Sequence, residues 1–326
     1  MLTIDDAFIE KIRGHDRRAL SKAITLIESS NPDHRPQVDA LFKKLLPISK
    51  KAQRIGISGS PGVGKSTFIE AYGCQLIAQG QSVAVITIDP TSPVSGGSIL
   101  ADKTRMGKLV AEERAFIRPS PSTLKSGSIH PATYETSLLC EAAGFDTVLI
   151  ETVGVGQSET AITQCVDMVM VLLHPGGGDD LQGFKRGLLE LADLVIVNKA
   201  DGDMCTNAQS TKRHYKSGLQ LLKPAHDFWD RQVTVCSAQE QSGFDKIHTH
   251  VSCFFEAATP HLADLRTTQA LAAFDDTLSW RLSELVRTNS TLANTLASLS
   301  DQLKRHHLSP IQAADEVIKS LAEKFQ

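Results

Sequence analysis

The sequence predicts an α/β fold with a mostly parallel central sheet, a helical extension before it and a helical arm after it. Three observations predict this. Short β-rich runs at 54–58, 82–89, 147–151, 167–173, 194–198 and 232–236 alternate with helical stretches, and strands with so few polar interruptions belong to a sheet covered on both faces. A glycine-rich turn, Gly59-Ser60-Pro61-Gly62-Val63-Gly64-Lys65-Ser66-Thr67, joins the first run to a helix. Residues before about 50 and after about 260 carry helical spacing and no strand-like run.

The elements follow in order. Ala19, Leu20, Ala23, Ile24 and Ile27 mark a first helix. The stretch Asn31-Pro32-Asp33-His34-Arg35-Pro36 breaks it, and Val38, Leu41, Leu45 and Leu46 mark a second. The six strands and their helices come next. In the tail, Leu271, Phe274, Leu278, Leu282 and Leu285 form one apolar stripe, and Leu292, Leu296, Leu299 and Leu303 form another. Ser309-Pro310 reads as an N-cap followed by a first-turn proline. It opens a last helix carrying Ile311, Ala314, Ile318, Leu321 and Phe325. The expected division is 1–50 as helical N-terminal extension, 51–260 as the α/β domain and 261–326 as helical C-terminal region.

Composition excludes several function classes. The net charge of -3 gives no electrostatic footprint for nucleic acid or an anionic membrane. No apolar run approaches the roughly 18 residues that span a bilayer, and the N-terminus does not read as a signal peptide. The six cysteines are scattered without a Cys-x-x-Cys pair, which suits buried thiols in a reducing cytoplasm rather than zinc or redox chemistry.

The glycine-rich turn carries the chemistry. It fits Gly-x-x-x-x-Gly-Lys-[Ser/Thr] between a strand and a helix, the context of a phosphate-binding loop, or P-loop. Its backbone N–H groups and the helix N-terminus would cradle phosphates. Lys65 would reach the β- and γ-phosphates and the Ser66 hydroxyl would ligate magnesium. After the fifth run comes Asn198-Lys199-Ala200-Asp201. A carboxylate at Asp201 can accept from guanine N1–H and the 2-amino group, whereas adenine offers it an acceptor and no amine. Asn198 would support O6 and the loop, and the Lys199 stem would lie along the base. Ser237-Ala238-Gln239, after the last run, suits a further contact to guanine. The run 147–151 ends in Glu151, with Gly154 three residues on, as an acid near magnesium and a backbone sensor of the γ-phosphate would. Val155 follows where a water-orienting glutamine could stand, so slow intrinsic hydrolysis is expected. Asp89, Asp102 and Glu151 could ligate magnesium directly or through water, and each also suits helix capping or pairing with Arg105 or Lys185.

Together these residues resemble the MeaB/ArgK group of P-loop GTPases. The resemblance runs through Asp16-Arg-Arg-Ala-Leu, Glu28-Ser-Ser-Asn-Pro-Asp-His-Arg35, the P-loop, Ile88-Asp-Pro-Thr-Ser-Pro93, Asp102-Lys-Thr-Arg-Met106, Phe116-Ile-Arg-Pro-Ser-Pro121, Glu151-Thr-Val-Gly-Val-Gly-Gln-Ser-Glu159 and Leu181-Gln-Gly183. It departs at 122–131, at Ala101 and at Asp180. The resemblance implies a magnesium-dependent GTPase, converting GTP to GDP and phosphate, that serves as switch and chaperone for an adenosylcobalamin-dependent acyl-CoA mutase such as methylmalonyl-CoA mutase. It implies gating of cofactor delivery, a homodimer formed through the C-terminal helices, and Lys65, Glu151 and Lys185 as the catalytic set, with Lys185 in a loop that communicates with the mutase. It implies Ser66, Asp89, Asp102 and Glu151 around magnesium. Two other readings are an ATPase or protein kinase of amino-acid transport and a metallochaperone GTPase. The first sits badly with Asp201, and the second wants a His- or Cys-rich metal store that the sequence lacks.

Overall fold

The structure, a computed structural model, describes residues 2–29, 31–48, 51–89, 106–121, 130–152, 162–176 and 186–322. Three helices precede the sheet: α1 (Asp6–Arg13), α2 (Arg17–Ile27) and α3 (Arg35–Leu45). Asp5 and Asp16 start the first two, accepting from the N–H of Phe8 (2.8 Å) and Ala19 (2.7 Å), which satisfies donors that a helix start leaves open. The spacing suggests two helices rather than three, because α1 spans eight residues and buries only Phe8, Ile9 and Ile12. Leu46, expected in the second helix, lies past its end, extended and exposed. Pro47 follows it and disfavours helical backbone there.

Seven parallel strands form the sheet: β1 (Gln53–Gly59), β2 (Val83–Asp89), β3 (Ala115–Pro121), β4 (Thr147–Glu151), β5 (Met168–Leu173), β6 (Leu194–Val197) and β7 (Gln232–Val235). Their order is β3-β2-β4-β1-β5-β6-β7. Six match the expected runs to within a residue or two at each end. The seventh, β3, was not expected as a strand, because Pro119 and Pro121 interrupt it. Prolines are tolerated at a sheet edge, and β3 is an edge strand paired only with β2.

Successive strand residues feed two apolar layers, as period-two alternation requires. Val148 and Ile150 join α1–α3 on one face, together with α6 (Pro131–Ala143) and α8 (Cys205–Leu219). Leu149, Ile55 and Ile57 join α4 (Lys65–Ala78), α5 (Gly107–Ala111) and α9 (Phe244–Ala258) on the other. The short α7 (Arg186–Leu191) precedes β6. Because α1–α3 share a core with the sheet, the N-terminal helices are part of its packing.

The chain divides into two compact units, 1–270 and 271–326. Helix α10 (Leu262–Thr288) runs across the division, and α11 (Ser290–Lys304) and α12 (Pro310–Ala322) lie in the second unit. The cap at Ser309 is reciprocal: its hydroxyl accepts from Gln312 N–H (3.3 Å) and Gln312 Oε1 accepts from Ser309 N–H (2.9 Å). Of the second stripe, Leu292 and Leu299 are buried. The first stripe is not core. Leu271, Phe274, Leu278, Leu282 and Leu285 are all at least 45% exposed. Phe325 lies outside the described residues.

Candidate nucleotide site

The central strand β1 lies where the chain order reverses, with β4 on one side and β5 on the other. Ligands of open α/β sheets bind beyond the carboxyl ends of the strands at such a point. Residues 60–64 leave β1 there and α4 begins at Lys65. Gly59 has φ +150, and a Cβ on it would come within 2.6 Å of the Leu172 carbonyl oxygen. The Lys65 ammonium donates to the carbonyls of Gly59 (2.8 Å) and Ser60 (3.3 Å), which curls the loop around it.

The second loop meets the first directly. The Asn198 amide nitrogen donates to Val63 O (2.9 Å), and its oxygen accepts from Ala238 N–H (3.0 Å) and from the Cys236 thiol (3.5 Å). One buried side chain thus ties the P-loop, the end of β6 and the segment after β7. Lys199, at φ +56, donates from Nζ to Gly62 O (2.8 Å). Gly64 sits at φ +93, where a Cβ would lie 2.9 Å from the Asn198 amide nitrogen. The Ser237 hydroxyl donates to the Asp201 carboxylate and itself accepts from Glu240 N–H (3.1 Å). Ala200 N–H donates to Cys236 O (3.0 Å). Each such bond contributes about 0.5–1.5 kcal/mol net, so their main effect is to fix position.

On the other side of β1, the strand β4 ends at Glu151, whose Oε1 accepts from the Ser66 hydroxyl (3.1 Å). The next residue, Thr152, is fully buried. Its N–H donates to Ile57 O (3.0 Å) and its hydroxyl to Ser58 Oγ (3.0 Å), which locks β4 to β1 immediately before the P-loop. Sequence reasoning passed over Thr152 and Ser58. Their signal was two hydroxyl residues at the ends of adjacent apolar strands.

The structure therefore brings together Gly59, Ser60, Gly62, Val63, Gly64, Lys65, Ser66 and Glu151 with Asn198, Lys199, Asp201, Ser237 and Ala238. Pro61 and Thr67 lie within the same loop and first helical turn, and Gln239 follows Ala238. Asp89 closes β2 at the same end of the sheet. Asp102, Arg105, Gly154, Val155, Asp179, Asp180 and Lys185 lie outside the described residues, as do 122–129. Among the described residues no helix is long and apolar enough to cross a membrane.

A P-loop at the centre of a parallel sheet, joined to an Asn-Lys-x-Asp loop two strands away, defines a guanine-nucleotide hydrolase. The family model described as "Methylmalonyl Co-A mutase-associated GTPase MeaB" matches residues 20–306. The chain belongs to this family and is a GTPase, with GTP as substrate and GDP as product. It is 48% identical over 251 residues to "GTPase ArgK" of Escherichia coli, covering 77% of this chain and 76% of that one. It is 37% identical to the mouse "Methylmalonic aciduria type A homolog, mitochondrial", covering 97% and 79%. A solved structure, "Crystal structure of LAO/AO transport system kinase", superposes with a TM-score of 0.73 at 34% identity, covering 98% of this chain and all of that one.

Proposed function

We propose that this GTPase is the nucleotide-driven switch of an adenosylcobalamin-dependent acyl-CoA mutase such as methylmalonyl-CoA mutase, gating delivery of the cofactor and protecting or reactivating the enzyme. The observation that carries this reading is the match of residues 20–306 to a family described as associated with that mutase. In this reading residues 59–67 hold the phosphates through backbone N–H groups and the start of α4. Lys65 transfers its donors from Gly59 O and Ser60 O to phosphate oxygens, where they become charge-assisted. Asp201, oriented by Ser237, accepts from the guanine N1–H and 2-amino group. Ser237, Ala238 and Gln239 border the base, and Asn198 and Lys199 hold the base loop to the P-loop.

Magnesium fits the oxygen donors present. The Ser66 hydroxyl and Glu151 carboxylate lie 3.1 Å apart, and this ion takes one or two carboxylates together with substrate phosphates and water. Asp89 and Asp102 would complete the shell. When bound, the ion would neutralise charge on the transferred phosphoryl group. Lys65 supplies the fixed positive charge beside it, Glu151 orients the reacting end, and Lys185 belongs to the loop that answers the mutase. With Val155 after Gly154, the isolated chain turns over slowly, and the mutase completes the site. We assign 1–50, 51–260 and 261–326 to N-terminal extension, GTPase domain and dimerisation region. The exposed stripe of α10 supports a homodimer, and the setting is the cytoplasm.

Two experiments test this. Copurification with an adenosylcobalamin mutase from the same organism, and stimulation of GTP hydrolysis by it, are expected. Absence of both with every acyl-CoA mutase of the organism overturns the mutase role, and a basal turnover of tens per second overturns the slow switch. A second reading, an ATP-using kinase of amino-acid transport, draws on the similarity to the LAO/AO transport system kinase. The placement of Asp201 against Ser237 argues for guanine instead. Fluorescent mant-GDP is expected to bind at least a hundredfold tighter than mant-ADP, and equal affinities would favour the ATP reading.

A further inference from the structure

We infer that the β7 edge of the sheet carries a second anion site, away from the P-loop and beside the guanine loop, built for a small tetrahedral oxyanion such as a phosphate group. A cavity of about 480 Å³ lies between α8, β7 and the start of α9. Lys212 and Lys246 line it from the two helices, and Thr234, Ser242 and Gly243 line it from the edge between them.

Three independent features point to an anion. Helix α9 has 15 residues and is preceded by Gly243 at its N-cap, with no side chain capping its first N–H groups. Open donors at a helix start, with the helix dipole behind them, are where phosphates bind. The one acid of that turn, Asp245, also lines the cavity, where its carboxylate accepts from Gln75 Nε2 (3.0 Å), a residue of α4. Next, Thr234 is 1% exposed, lines the cavity, and its hydroxyl has no hydrogen-bond partner. Buried hydroxyls are nearly always paired, so an unpaired one on a residue that lines a cavity marks a place for an acceptor. Finally, two ammonium groups, Lys212 and Lys246, line the cavity against the single carboxylate of Asp245. The His250 imidazole, on α9, is held below its ordinary pKa by burial first and then by both Lys212 and Lys246, so two ammonium groups act on one place. A tetrahedral oxyanion would accept from the helix start, the two lysines and the Thr234 hydroxyl together. A planar carboxylate has fewer oxygens for the same donors.

The cavity does not share the residues that face the base. It touches the guanine loop from outside, through Ala200, whose neighbours are Lys199 and Asp201. By linkage, whatever an anion does to nucleotide affinity the nucleotide does to the anion.

The test uses the full chain saturated with GDP, so that the P-loop is filled. Inorganic phosphate, methyl phosphate and acetate are titrated by calorimetry. Saturable phosphate or methyl phosphate binding is expected, with acetate at least about tenfold weaker. The tighter of the two phosphates tells a free ion from an organic monoester, and either order supports the site. The double variant K212A/K246A is expected to weaken phosphate binding at least about tenfold, and the near-isosteric Thr234→Val about threefold or more. Both should keep the circular-dichroism spectrum and GDP affinity of the parent measured without phosphate. Non-saturable binding, acetate equal to phosphate, or unchanged phosphate affinity in both variants would overturn the proposal.

Discussion

Replacing Asp167 by alanine should destabilise the first unit more than any other single change to one of its charged residues. Asp167 is fully buried and accepts five N–H bonds. Its Oδ1 takes Arg54 Nη2 (2.8 Å), Arg54 Nε (3.3 Å) and Arg266 Nε (3.0 Å), and its Oδ2 takes Arg54 backbone N–H (3.0 Å) and Arg266 Nη2 (2.7 Å). Arg54 is itself 1% exposed. Without the carboxylate its guanidinium keeps Gln269 Oε1 (2.7 Å), a neutral acceptor. Arg266 still has Glu141 Oε1 (2.6 Å) and Ala52 O (2.6 Å). One buried cation is left without a counter-charge and the other is half-compensated. Breaking one side of a buried pair costs about 3–5 kcal/mol, and the surviving partners of Arg266 place the loss near 4 kcal/mol. Arg266→Met leaves Asp167 paired with Arg54 but leaves the buried Glu141 carboxylate with Ala52 N–H (3.0 Å) in place of a counter-charge, so it should cost somewhat less than Asp167→Ala. Urea unfolding followed by circular dichroism reads this out. With a slope of about 3 kcal/mol per molar, Asp167→Ala should lower the midpoint by roughly 1.3 M. Burial raises the Asp167 carboxyl pKa, but the two guanidinium groups outweigh it and hold the carboxyl below its ordinary value. Its contribution is therefore present above about pH 4 and lost as pH falls through the folded pKa. A loss under about 1 kcal/mol at pH 7, or an unchanged acid limb in the variant, would refute the reasoning.

The other predictions concern separate places. Burial pushes the Asp193 carboxyl up to about 7, against the opposing bond from Val169 N–H and the charge of Arg231. The folded state then holds a proton that the unfolded state releases, so wild-type stability should fall as pH rises from about 4 to 7. Asp193→Asn should remove that fall and gain up to about 4 kcal/mol at pH 8, and parallel thermal-melt profiles of the two proteins would contradict this. Gly64→Ala forces a Cβ to 2.9 Å from the Asn198 amide at a backbone angle unfavourable to side chains. It should cost about 1–2 kcal/mol in backbone strain and weaken GDP binding about tenfold or more, an idea that undiminished mant-GDP affinity would defeat. Leu278→Glu with Leu282→Glu, on the exposed face of α10, should turn the proposed dimer into a monomer by light scattering without lowering GDP affinity. A dimer that persists would remove that face from the interface.

The sheet and its loops could be read because they are local. Six of the strands were contiguous apolar-rich runs, and the P-loop and the Asn-Lys-x-Asp turn sit where such runs end. β3 escaped because two prolines disguised a strand whose edge position makes them tolerable. α1 escaped because eight residues hold too few turns for a clear period. The Arg54–Asp167–Arg266 cluster was out of reach for a different reason: its members are 113 and 99 residues apart, and nothing in one segment announces the charge waiting in another. Asn198 shows both limits at once. Its motif was plain, but its bonds to Val63 and Ala238 join positions 135 and 40 residues away. Asp102, Val155 and Lys185 were named from the sequence and lie outside the described residues.

The Asn198 amide has a kinetic corollary. Because it fastens the phosphate cradle to the base cradle, the two cannot be ordered one after the other by an arriving nucleotide. Much of the ordering cost of that framework was met when the chain folded, and association need not recruit it. Differences between nucleotides should then appear chiefly in how long each one stays. In the proposed role of Asp201, a base that mismatches it would leave the nucleotide held by its phosphates alone, so residence time is where guanine would be told from adenine.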